Sequence, residues 1–181
     1  MRVIAGKYKS IKLNSVEGMN TRPTTDKIKE NLFNMLTCEG RVLDLFGGTG
    51  GLGIESLSRG ASHVTFIDGS NNAIKVIRSN IEKCKIPKSD YDVYRNDFKR
   101  ALKILGKKEE KFDLIFLDPP YMDGYYSKVL NLIIECDVLV PDGLVVIESK
   151  KNTLFLQESS LFLMEKERTY GKTTVTYLRK K

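Results

Sequence analysis

The stretch RVLDLFGGTGGLGIES, residues 41 to 56, runs an apolar segment with one internal acid into a cluster of glycines. Residues 41–46 read as a strand and 52–59 repeat apolar residues at helical spacing, so the stretch predicts strand, tight turn, helix. Gly48, Gly50 and Gly53 match GxGxxG, and Asp68 closes the next apolar run fifteen residues beyond Gly53. Glycines let the backbone turn tightly and approach a ligand closely, and the following helix presents free N–H groups. An acid closing the second strand is placed to accept both ribose hydroxyls of an adenosine. A glycine-rich turn built for packing has the same spacing, so the loop alone leaves both readings open.

The alternation extends along the chain. Strand candidates at 64–68, 91–95, 112–118 and 144–148 are separated by helical patterns at 70–84, 97–106 and 125–136. In 70–84 the apolar stripe is Ala73, Ile74, Ile77, Ile81 and Cys84, as an amphipathic helix requires. Such alternation predicts parallel strands joined by right-handed crossovers. The ending differs: 161–167 and 173–178 are joined by a short TYGKT turn with no helix between them, which predicts antiparallel pairing. Ahead of the glycine loop lie a short basic β-like segment (2–13), a loop, and a helix from Thr24 or Thr25 to about Leu36, with Asp26 suited to its amino terminus. The expected fold is α/β: a Rossmann-like sheet, mostly parallel, with a carboxy-terminal antiparallel hairpin and a short amino-terminal β/α extension. We expect one domain over 1–181, with 1–37 as a basic extension and 38–181 as the core.

Composition narrows the class. No stretch is long and apolar enough to span a membrane, and the amino terminus MRVIAGKYKS lacks the apolar core of a signal peptide. Cys38, Cys84 and Cys136 are odd in number and far apart, which excludes a disulfide framework or a CxxC metal pair and suggests a reducing cytoplasm. Residues 1–30 hold seven basic and three acidic side chains, and 165–181 hold six and two, so each end carries +4 of the total +7. Positive charge concentrated in this way suggests a polyanionic partner, because binding to phosphate releases counterions. A solvated basic surface that aids solubility has the same charge.

Two features choose among nucleotide ligands. Asp44 lies inside the strand just before the glycine loop. A carboxylate facing that cleft would repel a pyrophosphate and attract the cationic methionyl end of S-adenosylmethionine. Asn96-Asp97-Phe98 closes the third strand, offering acceptors to an adenine amino group and a ring to its face; Asp97 also reads as a helix N-cap, and the two roles are compatible. The cofactor reading is S-adenosylmethionine rather than NAD, with Phe46 counted among the contacts.

FLDPPY, residues 116–121, bears on the chemistry. An exocyclic amine on a nucleobase is a poor nucleophile because its lone pair is delocalised into the ring. Acceptors on its two N–H bonds shift density back to nitrogen and hold it in line with a methyl donor. The Asp118 carboxylate and the Pro119 carbonyl are candidates, each charge-assisted bond being worth about 1.5–3 kcal/mol. Pro119 and Pro120 hold them stiffly, and Tyr121 offers a ring on which an extruded base stacks. A turn-capping acid and a surface tyrosine would be the plainer account. His63, the one histidine, opens a strand and reads as a surface residue.

These residues together resemble a class I S-adenosylmethionine-dependent methyltransferase, and more narrowly the bacterial RsmD-type enzymes that methylate guanine N2 in 16S ribosomal RNA. The resemblance rests on MRVIAGKYKSIKL, TRPTTDKIKENLFNML (21–36), VLDLFGGTGGLGIESLSRGA (42–61), FDLIFLDPPY and the YGKT hairpin. It implies that Asp44, Gly48, Gly50, Asp68, Asn96 and Asp97 belong to the cofactor site and Asp118, Pro119, Pro120 and Tyr121 to the catalytic loop. Arg22, Pro23 and Thr24 match the loop that covers the site. The substrate it implies is 16S rRNA, within a small ribosomal subunit or its assembly intermediate, with no membrane and no metal. Lys7, Lys9, Lys12, Arg22 and Thr24 are the candidate RNA contacts. The alternative is a DNA adenine-N6 methyltransferase, which shares the [DN]PPY motif but usually carries an added target-recognition segment.

Overall fold

Seven segments pair into one sheet among the residues described by the computed structural model, which are 1–16, 26–119, 125–151, 153 and 161–181. They are β1 (Arg41–Asp44), β2 (His63–Asp68), β3 (Tyr91–Arg95), β4 (Phe112–Leu117), β5 (Leu139–Lys150), β6 (Phe162–Tyr170) and β7 (Thr173–Lys180). Their spatial order is β3-β2-β1-β4-β5-β7-β6. The first five run parallel, as the alternation predicts. β7 runs antiparallel to both β5 and β6. Helices α1 (Asp26–Phe33), α2 (Gly51–Ser58), α3 (Asn71–Lys83), α4 (Phe98–Lys107) and α5 (Tyr125–Glu135) cover the two faces.

Strand side chains alternate between faces, and here both faces are buried. Val42, Val64, Phe66, Leu114, Phe116 and Val146 form one core with Ile54 and Leu57 of α2, Ile74, Ile77 and Ile81 of α3, and Leu32 and Phe33 of α1. Their neighbours Leu43, Ile67, Ile115, Leu117, Val145 and Ile147 form the other, against Leu102 and Leu105 of α4 and Val129 and Ile133 of α5. This explains the nearly continuous apolar runs of the parallel strands. Ser70 caps α3 by accepting the Ala73 N–H, and Asp97 caps α4. α1 ends at Phe33 rather than Leu36 because the chain tightens there into Met35 N–H to Leu32 and Leu36 N–H to Phe33 bonds; the expected start at Thr24 or Thr25 lies outside the described residues.

The amino-terminal segment departs from expectation. Instead of a strand over 2–13 there is one bridge, Arg2 with Lys12. The amides of Ile4 and Ala5 donate to the Glu55 carboxylate of α2 at 2.8 and 3.1 Å, and Tyr8 N–H to Ser58 Oγ at 2.9 Å. Around the bridge Val3 N–H donates to the Ile11 carbonyl and Leu13 N–H to the Met1 carbonyl, both at 3.0 Å, so the two ends of the segment pair briefly with each other and α2 takes the amides between them. Glu55 is fully buried, with Lys29 Nζ at 3.2 Å and Arg59 Nε at 2.8 Å. Lys29, also fully buried, donates to the Arg2 carbonyl as well. Buried charges persist only when paired and hydrogen-bonded, so this network fastens the segment to α1 and α2. Val3, Tyr8 and Leu13 then join the first core.

Candidate active site

Parallel strands bring their carboxyl ends to one edge, and each strand here ends in or just before an acid. Asp44 and Asp68 end β1 and β2, Asp97 lies two residues after β3, Asp118 one residue after β4, and Glu148 sits near the end of β5. Asp44, Asp118 and Glu148 share strand parity with Val42, Phe116 and Val146, which places them on the α2 side of the sheet. Glu148 is 5% exposed and was not singled out in the sequence. An acid closing the one remaining parallel strand was the available signal.

The glycine loop is tied to these acids. Asp68 Oδ2 accepts the Gly48 N–H at 2.9 Å and its Oδ1 accepts the Ser70 N–H at 2.7 Å, fastening the loop to the end of β2. Asp44 Oδ2 accepts the Gly53 N–H at 3.0 Å. Gly50, at φ +77°, is the N-cap of α2, a left-handed position that favours glycine. At Gly53 the reason for glycine is space: a Cβ there would lie 2.2 Å from the Phe66 ring. Buried Asn80 of α3 holds the loop from the other side, its Nδ2 donating to the Thr49 and Asn14 carbonyls at 2.8 and 3.1 Å.

Burial pushes the Asp44 carboxyl up to about 7; the Gly53 N–H opposes the shift and the Asp68 charge adds to it. Asp118 keeps part of its surface in the cleft, but protein surrounds its carboxyl. Burial, then Glu148, then Asp44 raise its pKa well above the usual carboxylate range. Asp97 Oδ1 takes both α4 amides, Lys99 N–H at 3.0 Å and Arg100 N–H at 3.1 Å, so the capping role is realised and the second oxygen remains for a ligand. Asn96 N–H donates to the Asp68 carbonyl at 3.0 Å, bringing the third strand end beside the second.

Three rings line the α4 and α5 side of this edge. Phe98 lies 5.8 Å from Phe46 and 4.9 Å from Tyr125, and Phe46 lies 5.9 Å from Tyr125. Tyr125 was missed because its ring reads as part of the helical stripe of α5. Tyr126 donates its hydroxyl to the Glu148 carbonyl at 3.1 Å, joining α5 to β5. Pro119 is buried beside Asp118. Pro120, Tyr121, Arg22, Pro23 and Thr24 lie outside the described residues. Lys7, Lys9 and Lys12 are exposed, but Lys7 N–H donates to Ser58 at the far end of α2. That turn is one eight-residue helix, roughly 12 Å, from the glycine loop.

Comparison with known proteins gives the same picture. The family model described as "Conserved hypothetical protein 95" matches residues 1–179. The Bacillus subtilis protein named "Putative rRNA methyltransferase YlbH" is 44% identical over 100% of both chains. "Ribosomal RNA small subunit methyltransferase D" of Haemophilus influenzae is 32% identical over 94% of this chain and 89% of its own. The solved structure of Escherichia coli yhhF superposes with a TM-score of 0.88 at 26% identity, covering 100% of this chain and 98% of that one. With this span, these identities and this fold, the chain belongs to the RsmD-type family of ribosomal RNA methyltransferases.

Proposed function

We propose that this protein transfers a methyl group from S-adenosylmethionine to the exocyclic N2 of a guanine in 16S rRNA, within the small ribosomal subunit or a precursor of it. The observation that carries the reading is the convergence of Asp44, Asp68 and Asp118 at one sheet edge beside the glycine loop. The donor set suits a ligand with ammonium and sulfonium charges and disfavours a pyrophosphate. Asp68 holds the ribose, Asp44 faces the methionyl end, and Asn96, Asp97, Phe98 and Phe46 take the adenine. When bound, the cofactor supplies an electrophilic methyl group.

The protein's own part is to activate and aim the amine. Asp118 and the Pro119 carbonyl accept its two N–H bonds and raise electron density on nitrogen. The Asp118 charge matters most as the amine becomes cationic, so it acts in the transition state. One N–H proton then leaves to solvent, giving the neutral methylated amine. Tyr121 is assigned the ring that stacks on the extruded base, and Pro120 the stiffening of the loop. Because the folded protein raises the Asp118 pKa, the acceptor form appears only at higher pH, and methyl transfer should climb with pH.

The test is single-turnover methylation of 16S rRNA and of small-subunit particles, with the modified nucleotide mapped. Asp118→Asn should lose about 100-fold or more in rate, as when one preorganised charge-stabilising group is removed. Its cofactor and RNA affinities should stay close to wild type. An Asp118→Ala protein with substantial activity would overturn the assignment, as would methylation of DNA adenine in place of rRNA guanine.

A further inference from the structure

A second basic surface lies across the sheet from the amino-terminal segment. α4 reads FKRALKILGK: it places Phe98, Ala101, Leu102 and Leu105 in the core and carries Lys99, Arg100, Lys103 and Lys107 with no acid. All four cations are exposed. Lys99 and Lys103 are one turn apart and therefore share a side of the helix. From α5, exposed Lys128 stands beside Lys99, whose ammonium pulls the Lys128 pKa below the usual lysine value, with no carboxylate among the influences.

The position of this pair matters as much as its charge. Lys99 Nζ lies 5.9 Å above the Phe98 ring, and Phe98 packs 4.9 Å from Tyr125, one turn before Lys128. Asp97, assigned to the adenine, immediately precedes α4. The two ammoniums thus stand on the rim of the active-site edge. Like charges set side by side repel each other unless an anion lies between them. S-adenosylmethionine carries no phosphate, whereas the RNA substrate brings a phosphodiester at every nucleotide.

We propose that Lys99 and Lys128 form a binding site for a phosphodiester of the RNA strand beside the target guanine, with Lys103 continuing the track along α4. This rests on the methyltransferase reading and adds a contact surface that the two basic chain ends do not contain. The amino-terminal lysines and this pair lie on opposite faces of the sheet.

The experiment measures binding of a 16S rRNA transcript across a salt series for wild type, Lys99→Gln/Lys128→Gln and Lys99→Arg/Lys128→Arg. Each phosphate contact on single-stranded nucleic acid contributes about 0.7 to the log–log slope. The Gln pair loses one phosphate contact, so it should flatten the slope by about 0.7 and weaken binding severalfold at low salt, while the Arg pair keeps the wild-type slope. Unchanged S-adenosylmethionine affinity in the Gln pair would show that it is folded. A Gln pair with the slope and affinity of wild type overturns this site alone. A wild-type protein that neither binds nor methylates rRNA overturns the methyltransferase reading itself.

Discussion

If Asp44 faces the methionyl end of the cofactor, as proposed, it makes cofactor binding a function of pH. Its carboxyl is buried and its pKa is raised from an ordinary 3.8 to about 7. The folded protein therefore holds this proton at pH values where the unfolded chain has released it, and the group's contribution to stability falls as pH rises from about 4 to about 7. Above 7 the ionised, buried carboxylate costs about 4 kcal/mol, at about 1.4 kcal/mol per pKa unit. A cationic ligand reverses this balance, because it interacts best with the ionised form. Cofactor affinity should therefore fall as pH drops through 7, about tenfold weaker at pH 6 than at pH 8. Asp44→Asn keeps an oxygen for the Gly53 N–H and loses the charge. It should bind weakly with little pH dependence, yet its apo form should resist heat better than wild type at pH 8. Calorimetric titration with S-adenosylmethionine at pH 6, 7 and 8, run in parallel on both proteins, separates Asp44 from the ligand's own titration. Asp118→Asn, in which Asp44 is intact, should keep most of the dependence. Wild-type affinity that parallels Asp44→Asn at every pH would refute the role given to Asp44.

Two further outcomes test the framework around the site. Asn80→Ala removes the donor to Thr49 and both bonds to the Asn14 backbone, each orphaned buried group costing about 1–3 kcal/mol; the melting temperature and the cofactor affinity should fall together, and a variant that loses neither shows that Asn80 does not hold the loop. Lys29→Met leaves buried Glu55 with Arg59 and two backbone amides. It should cost about 3 kcal/mol in denaturant unfolding, the low end for a broken buried pair, and equal or greater stability would show that the ion pair does not fasten the amino-terminal segment.

The glycine spacing, the alternation and the final hairpin carried the architecture, because each is a local pattern. What they left open was set by contacts between residues far apart. The hairpin was legible, but not that β7, rather than β6, lies against β5. Composition explains the order: TTVTYL in β7 is buried throughout, whereas β6 carries Glu165, Lys166, Glu167 and Arg168 and suits an exposed edge. The 2–13 segment looked like a strand because its apolar residues point inward. Its two ends do pair briefly with each other, but the amides of Ile4 and Ala5 go to Glu55, some fifty positions away on a helix, and no periodicity encodes that. GxGxxG was visible as spacing, but the need for glycine at position 53 depends on Phe66 lying across the helix.

The two readings left open by the glycine loop differ in how they account for the acids around it. A turn built for packing needs from the strand position before it only an acceptor for the Gly53 N–H, which an amide oxygen supplies without a buried charge. Asp44 nevertheless occupies that position, and none of the influences on its ionisation is a basic side chain. Asp118 stands nearby, its ionisation opposed by burial and by Glu148 and Asp44. Gathering acids where their ionised forms repel lowers the stability of the empty protein, and apolar residues could fill the same positions at the ends of apolar strands. Local rules are broken in this way where function requires it. On the proposed function, the repulsion is relieved by positive charge arriving with a ligand and, at Asp118, by positive charge developing on a reacting amine. The same electrostatics disfavours a phosphate in the cleft, which is why the phosphate contact proposed above falls on the lysines of α4 and α5, outside the acid edge.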